Sequence, residues 1–124
     1  MIKCRSQAYF CSLQYVMLTI NGKWKAPILW MLGDKTLRFG ELERKLPNTA
    51  RKVLVEQLKE LENDEIVRRV VYAEVPPKVE YSLTERGLLL LPILRQLWRW
   101  GYDHITHLNQ QPEKPDKPRA DLVI

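Results

Sequence analysis

Residues 48–62 read NTARKVLVEQLKELE. Leu54, Leu58 and Leu61 recur at i, i+4 and i+7, so they share one face of a 3.6-residue period, with Ala50 near that face one turn earlier. The opposite face carries Lys52, Val55, Glu56 and Lys59, with Arg51 at its edge. Arg51 and Lys52 open the helix, where a cation opposes the macrodipole, whereas the acids Glu60 and Glu62 come late. Stability alone favours the reverse order. A helix that is basic at its N-terminal end suits a polyanion met end-first, as a recognition helix meets DNA. Taken alone, the stretch fits an ordinary amphipathic helix with solvated charges equally well, and its neighbours decide between the two.

Immediately upstream, FGELERKL (residues 39–46) places Phe39, Leu42 and Leu46 at i, i+3 and i+7, which predicts a short helix. Pro47 ends it, because the residue before a proline is pushed out of the α region. Asn48 and Thr49 are favourable N-cap types for the helix that follows. Two helices joined by a turn of a few residues, the second amphipathic and basic at its start, have the form of a helix-turn-helix. Further upstream, Leu13, Val16, Met17 and Ile20 predict a helix over 12–20, stopped by Asn21-Gly22. A second helix is expected from Lys23 to Leu32, with Trp24, Ile28 and Met31 on one face and an irregularity at Pro27. Gly33-Asp34 closes it, Thr36 to Arg38 is a short extended piece at most, and residues 1–10 read as a loose arm.

Downstream of Asn63-Asp64 the period changes. The run IVRRVVY (66–72) is rich in β-branched residues, and KVEYSL (78–83) alternates with Val79, Tyr81 and Leu83 on one face. Val75-Pro76-Pro77 breaks the chain between them, so the two strands form a hairpin, and a hairpin directly after a recognition helix is a wing. Arg68, Arg69 and Lys78 give it positive charge, although edge lysines and arginines are also ordinary on a solvated hairpin. Thr84 caps a long last helix whose apolar stripe (Leu88, Leu91, Leu94, Leu97 and Trp98, then Ile105 and Leu108) exceeds what one small domain can bury. The expected fold class is therefore mainly α (α+β): a winged helix-turn-helix with a two-stranded β-wing and N- and C-terminal dimerisation helices. Its expected limits are an arm at 1–10, one domain at 11–110 and a proline-rich, charged tail at 111–124 that lacks the composition to fold.

The chain has 124 residues, 45% of them hydrophobic, with a formal net charge of +5 and a pI near 9.3, a balance that permits a nucleic-acid partner. No apolar run approaches the ~20 residues that span a bilayer. Arg5, Gln7, Ser12 and Gln14 interrupt the first twenty residues, so no secretory signal is read there and a cytoplasmic, nucleoid-associated protein is expected. Cys4 and Cys11 are too few for a secreted disulfide framework.

Four stretches resemble the HxlR-type transcriptional regulators of bacteria and archaea. One is a cysteine 13 residues before the tryptophan of a GKW segment, Cys11 with Gly22-Lys23-Trp24; the next is the block from Arg38-Phe39-Gly40-Glu41-Leu42 to Leu46-Pro47. The third runs from Lys52 to Glu62, and the fourth is the wing and its exit, residues 72–87, YAEVPPKVEYSLTERG. The match covers about residues 11–101. The resemblance implies a homodimeric DNA-binding regulator whose terminal helices form the dimer interface, and some members sense thiol-reactive compounds through the cysteine matching Cys11. Three positions depart from the pattern: Ala50 stands where serine is usual, Ser12 follows the cysteine in place of proline, and Cys4 has no counterpart.

These readings name candidates. For DNA they are Thr49, Arg51, Lys52, Val55, Lys59, Arg68, Arg69 and Lys78; for the dimer, Leu13, Val16, Met17, Leu91, Leu94, Leu97, Trp98 and Ile105. Cys11 is either a structural thiol or a thiolate stabilised by a helix N-terminus, with Arg5 the nearest cation in sequence. His104 and His107, at i and i+3, could share a metal only with a third ligand, and none is evident apart from Asp103 or a partner subunit, so no metal is expected; no cofactor is expected either. No nucleophile–base pair, phosphate loop or paired carboxylates suggest an enzyme. The partners expected are operator DNA, as an inverted repeat, and a second copy of the chain. The alternative is a winged-helix protein-interaction module without DNA binding, which would be free to carry an acidic or apolar face where this chain is basic.

Overall fold

The structure is a computed structural model, and it describes residues 1–111. The expected disorder of the tail falls almost wholly on residues outside that range. Its elements are β1 (Ile2–Cys4), β2 (Gln7–Tyr9), α1 (Ser12–Thr19), α2 (Lys25–Leu32), β3 (Leu37–Arg38), α3 (Phe39–Lys45), α4 (Arg51–Asn63), β4 (Val67–Tyr72), β5 (Lys78–Leu83) and α5 (Glu85–Asn109). This is the winged helix-turn-helix that the sequence predicts, with β4 and β5 as the wing. The short extended piece β3 pairs with β5, so the sheet has three strands in the order β3-β5-β4, all antiparallel.

One core holds the elements together. Ile28, Leu29 and Leu32 of α2, Leu42 of α3 and the three leucines of α4 meet Val67, Tyr81 and Leu83 of the wing's root and Leu91 and Leu94 of α5. The α4 stripe is fully buried, as its spacing predicts. The buried face of α2 is Lys25, Ile28, Leu29 and Leu32, while Trp24 and Met31 pack at its margin.

Two junctions fix how the wing meets the helices. After α4, Glu65 takes a left-handed conformation (φ 60°) and Ile66 N–H donates to the Leu61 carbonyl at 3.0 Å, which turns the chain into β4. At the start of α5, the Thr84 hydroxyl accepts from Gly87 N–H (3.1 Å) and donates back to the Glu65 carbonyl (2.7 Å). Gly87 lies so close to the Ile66 carbonyl oxygen that a Cβ there has no room, which explains the glycine inside a helix.

The first ten residues are not a loose arm. β1 and β2 pair antiparallel, with Ile2 opposite Tyr9 and Cys4 opposite Gln7. Tyr9 packs edge-on against Tyr15 of α1, and Arg5 in the turn (φ 54°) donates to the Asn63 carbonyl at the end of α4 (3.2 Å). A cation at that helix terminus also favours the macrodipole. Among the described residues no helix is long and apolar enough to cross a membrane.

Candidate nucleic-acid interface

The outward stripe of α4 and the near face of the sheet form a cleft of about 550 Å³. Arg51, Val55, Lys59 and Glu62 supply one wall at successive turns, Arg69, Val79 and Tyr81 the other, and Phe39 closes one end. Three cations against one acid make this concavity a basic one. The guanidinium of Arg51 lies over the Phe39 ring, 5.3 Å from its centroid, and its Nε is 3.5 Å from Glu43 Oε2. These contacts hold an otherwise exposed side chain at the mouth of the cleft.

The start of α4 differs from the expectation drawn from Asn48 and Thr49. Ala50 is the N-cap and supplies no side-chain bond to the first turn. Thr49 is turned inward and buried, and its Oγ1 has no hydrogen-bond partner among the described residues. Thr49 is therefore not placed to meet a ligand on the outer face, because the turn after Leu46 draws it under the helix, with its N–H bonded to the Leu46 carbonyl (3.1 Å).

The remaining candidates divide. Lys52 is exposed on α4 beside the cleft. Arg69 lines the cleft; Arg68, one residue earlier on β4, does not, and both border a second depression with Glu62, Glu65, Glu85 and Arg86. Lys78 is already paired. Its Nζ lies 3.7 Å from Glu80, 4.0 Å from Glu74 and 4.5 Å from the centroid of the Tyr72 ring. A hydrogen bond to Glu80 and that residue's charge push the Tyr72 phenol above its ordinary pKa. The wing's tip is thus closer to neutral than its sequence suggests; among the described residues of this face Lys52, Lys59 and Arg69 stand outside any ion pair, while Arg51 is held against Glu43.

The candidates for a subunit contact also divide. Leu91 and Leu94 are 4% and 6% exposed, which corrects their expected place on an interface: the protomer's own core takes them. Beyond Leu94 no residue of α5 is buried, and Leu97, Trp98 and Ile105 stand about half exposed. That leaves 15 residues of helix, roughly 22 Å at the α-helical rise, projecting past the core. Trp98 stacks between Trp30 of α2 and Tyr102, at centroid distances of 5.6 and 5.4 Å. On α1 no residue is buried; Leu13 and Met17 are exposed and Val16 is half-buried.

Cys11 is the N-cap of α1 and, like Cys4, is a free, half-buried thiol. The register sets Cys4 beside the hairpin's turn and Cys11 beyond its open end. A disulfide requires Cα atoms within about 7 Å, so closing one inside a protomer means opening the hairpin. Arg5 lies at the turn and is engaged with Asn63 and with Glu65 (3.5 Å), away from Cys11. His104 stacks between Trp100 and His107. Among the described residues no three metal-ligating side chains gather.

Sequence reading missed Lys25, the one buried charged side chain among those described. The signal was present: Lys25, Ile28, Leu29 and Leu32 lie at i, i+3, i+4 and i+7, so the lysine falls on the apolar face.

The profile of a family described as HxlR-like helix-turn-helix matches residues 19–109. The chain is 46% identical over 101 residues to a regulatory protein named MalR from Fusobacterium mortiferum, covering 81% of this chain and 95% of that one. It is 42% identical over 106 residues to an HTH-type transcriptional regulator of Methanothermobacter thermautotrophicus, covering 86% of this chain and 81% of that one. Among solved structures it is similar to the redox regulator HypR. The reduced form superposes with a TM-score of 0.77 at 42% identity, covering 82% of this chain and all of that one. The oxidised form gives 0.70 at 45% identity, covering 75% and 96%.

Proposed function

This chain belongs to the HxlR-like helix-turn-helix family of transcriptional regulators, and from that premise we propose that it binds operator DNA through the α4–wing cleft as a two-fold homodimer. It acts as a regulator and not as an enzyme, in keeping with the names of its relatives. The observation that carries the reading is the convergence of Arg51, Lys59 and Arg69 on one concave face, with Lys52 beside it. α4 enters the major groove, and Arg69 meets the phosphates that border it.

The dimer follows from the apolar surface that the protomer leaves uncovered. The projecting half of α5, with Leu97, Trp98 and Ile105, packs against its mate and against Leu13, Val16 and Met17 of α1. A two-fold dimer presents two recognition helices, so the operator is an inverted repeat with half-sites about 34–36 Å or a multiple apart. Cys11 sits at the start of α1, inside that contact. A thiol adduct there changes the spacing of the two α4 helices and releases the DNA, a response in line with HypR being named a redox regulator.

The test is sedimentation of the protein alone and with a duplex selected from a random pool. Two chains per duplex and a dimer at micromolar concentration support the reading. A monomer, or a pool from which no sequence is enriched, overturns it.

A further inference from the structure

We propose that Val55 reads the C5-methyl group of a thymine in each operator half-site, which makes it a specificity-determining residue and not merely a filler between cations. The inference rests on the DNA-binding reading above and adds the identity of a base. Val55 is the one large apolar side chain that α4 leaves exposed, at 49%. The other large apolar residues of the helix are fully or half-buried. Valine is also a weaker helix former than the straight-chain residues around it, so neither the core nor the helix accounts for its presence there.

Its surroundings indicate what covers it. Arg51 and Lys59 flank it one turn to each side on the wall of the cleft, and Arg69 faces them from the sheet. Groups of that charge bring a phosphate strand into the cleft, whose end is closed by the Phe39 ring under the Arg51 guanidinium. In the major groove, bases offer donors and acceptors except for one apolar group, the thymine methyl. That methyl projects from the base edge nearest its own strand's phosphates. An apolar side chain set among phosphate-binding cations is therefore placed for thymine, whereas cytosine at the same position presents only a C–H.

The experiment uses the full chain and the duplex enriched from a random pool, resynthesised with deoxyuridine replacing each thymidine in turn, which removes a methyl and leaves base pairing intact. For the wild type, one thymidine per half-site should prove sensitive, with affinity falling about fourfold, the worth of one buried methyl. Val55→Ala should bind the unmodified duplex with a similar loss and show no further loss at that uridine. Val55→Thr, which keeps one methyl, should retain the sensitivity. Wild-type affinity unchanged by every uridine overturns the proposal, as does a Val55→Ala protein that remains fully sensitive at the same position. Either of these can occur with DNA binding intact; failure of the pool to enrich any sequence overturns the DNA reading itself.

Discussion

Lys25 Nζ lies 2.7 Å from Glu60 Oε1, joining the first turn of α2 to the last turn of α4. The two ends of this bond differ: the Lys25 side chain is 4% exposed and that of Glu60 is 54% exposed. Glu60 also accepts from Gln57 Nε2 at 3.5 Å. The bond ties the end of α4 to the first turn of α2 through a charged contact beside the apolar packing of Leu54, Leu58 and Leu61.

The asymmetry gives the first prediction. Glu60→Ala strands an ammonium in the core, whereas Lys25→Met leaves a carboxylate that water reaches. Glu60→Ala should lower unfolding free energy by about 3 kcal/mol, the lower end for a broken buried pair, and Lys25→Met by less than about 1 kcal/mol. Urea denaturation of the two variants measures both. Equal losses would show that the pair is effectively solvent-screened.

Much of this was legible in the sequence, and the exceptions share a cause. The leucine spacing of residues 54–61 and the alternation of 79–83 report burial directly, so the α4 and β5 faces were read correctly. The hairpin at residues 2–9 was not, because its strands have three residues each and its anchor is a contact between Arg5 and Asn63, 58 residues apart. Lys78 looked free because its carboxylate partners lie across a turn and along the strand. Leu91 and Leu94 looked like interface because one helical stripe serves the core in its first half and faces outward in its second. Periodicity marks a face as apolar without saying what covers it.

The wing supplies the second prediction. Arg69→Ala should reduce the slope of log affinity against log salt by about 0.9, the release of one phosphate contact. Lys78→Ala should change it by less, since Glu74 and Glu80 already neutralise that ammonium, and Glu80→Gln should raise affinity by freeing it. Fluorescence anisotropy across a salt series separates the three. A Lys78→Ala effect equal to that of Arg69→Ala would place the wing's tip on the phosphates after all.

For the thiols, diamide should weaken operator binding by wild type and by Cys4→Ser, and leave Cys11→Ser unaffected. The position of Cys11 at the start of the unburied helix α1 motivates the expectation. Non-reducing electrophoresis run alongside should show any disulfide as a cross-link between chains, because the hairpin register keeps Cys4 and Cys11 of one chain apart. Equal sensitivity in Cys11→Ser, or none in wild type, leaves Cys11 a structural thiol.

The most direct test of the cleft as the DNA-binding surface is the salt dependence of operator binding by the Lys59→Ala/Arg69→Ala double variant, with its melting temperature measured in parallel. Both side chains are exposed, so the fold should be retained. The predicted result is an unchanged melting temperature, affinity reduced at least tenfold at moderate salt, and a slope lower by about 1.8, two phosphate contacts at 0.9 each. A folded double variant that binds the operator with wild-type affinity and wild-type slope would contradict the account.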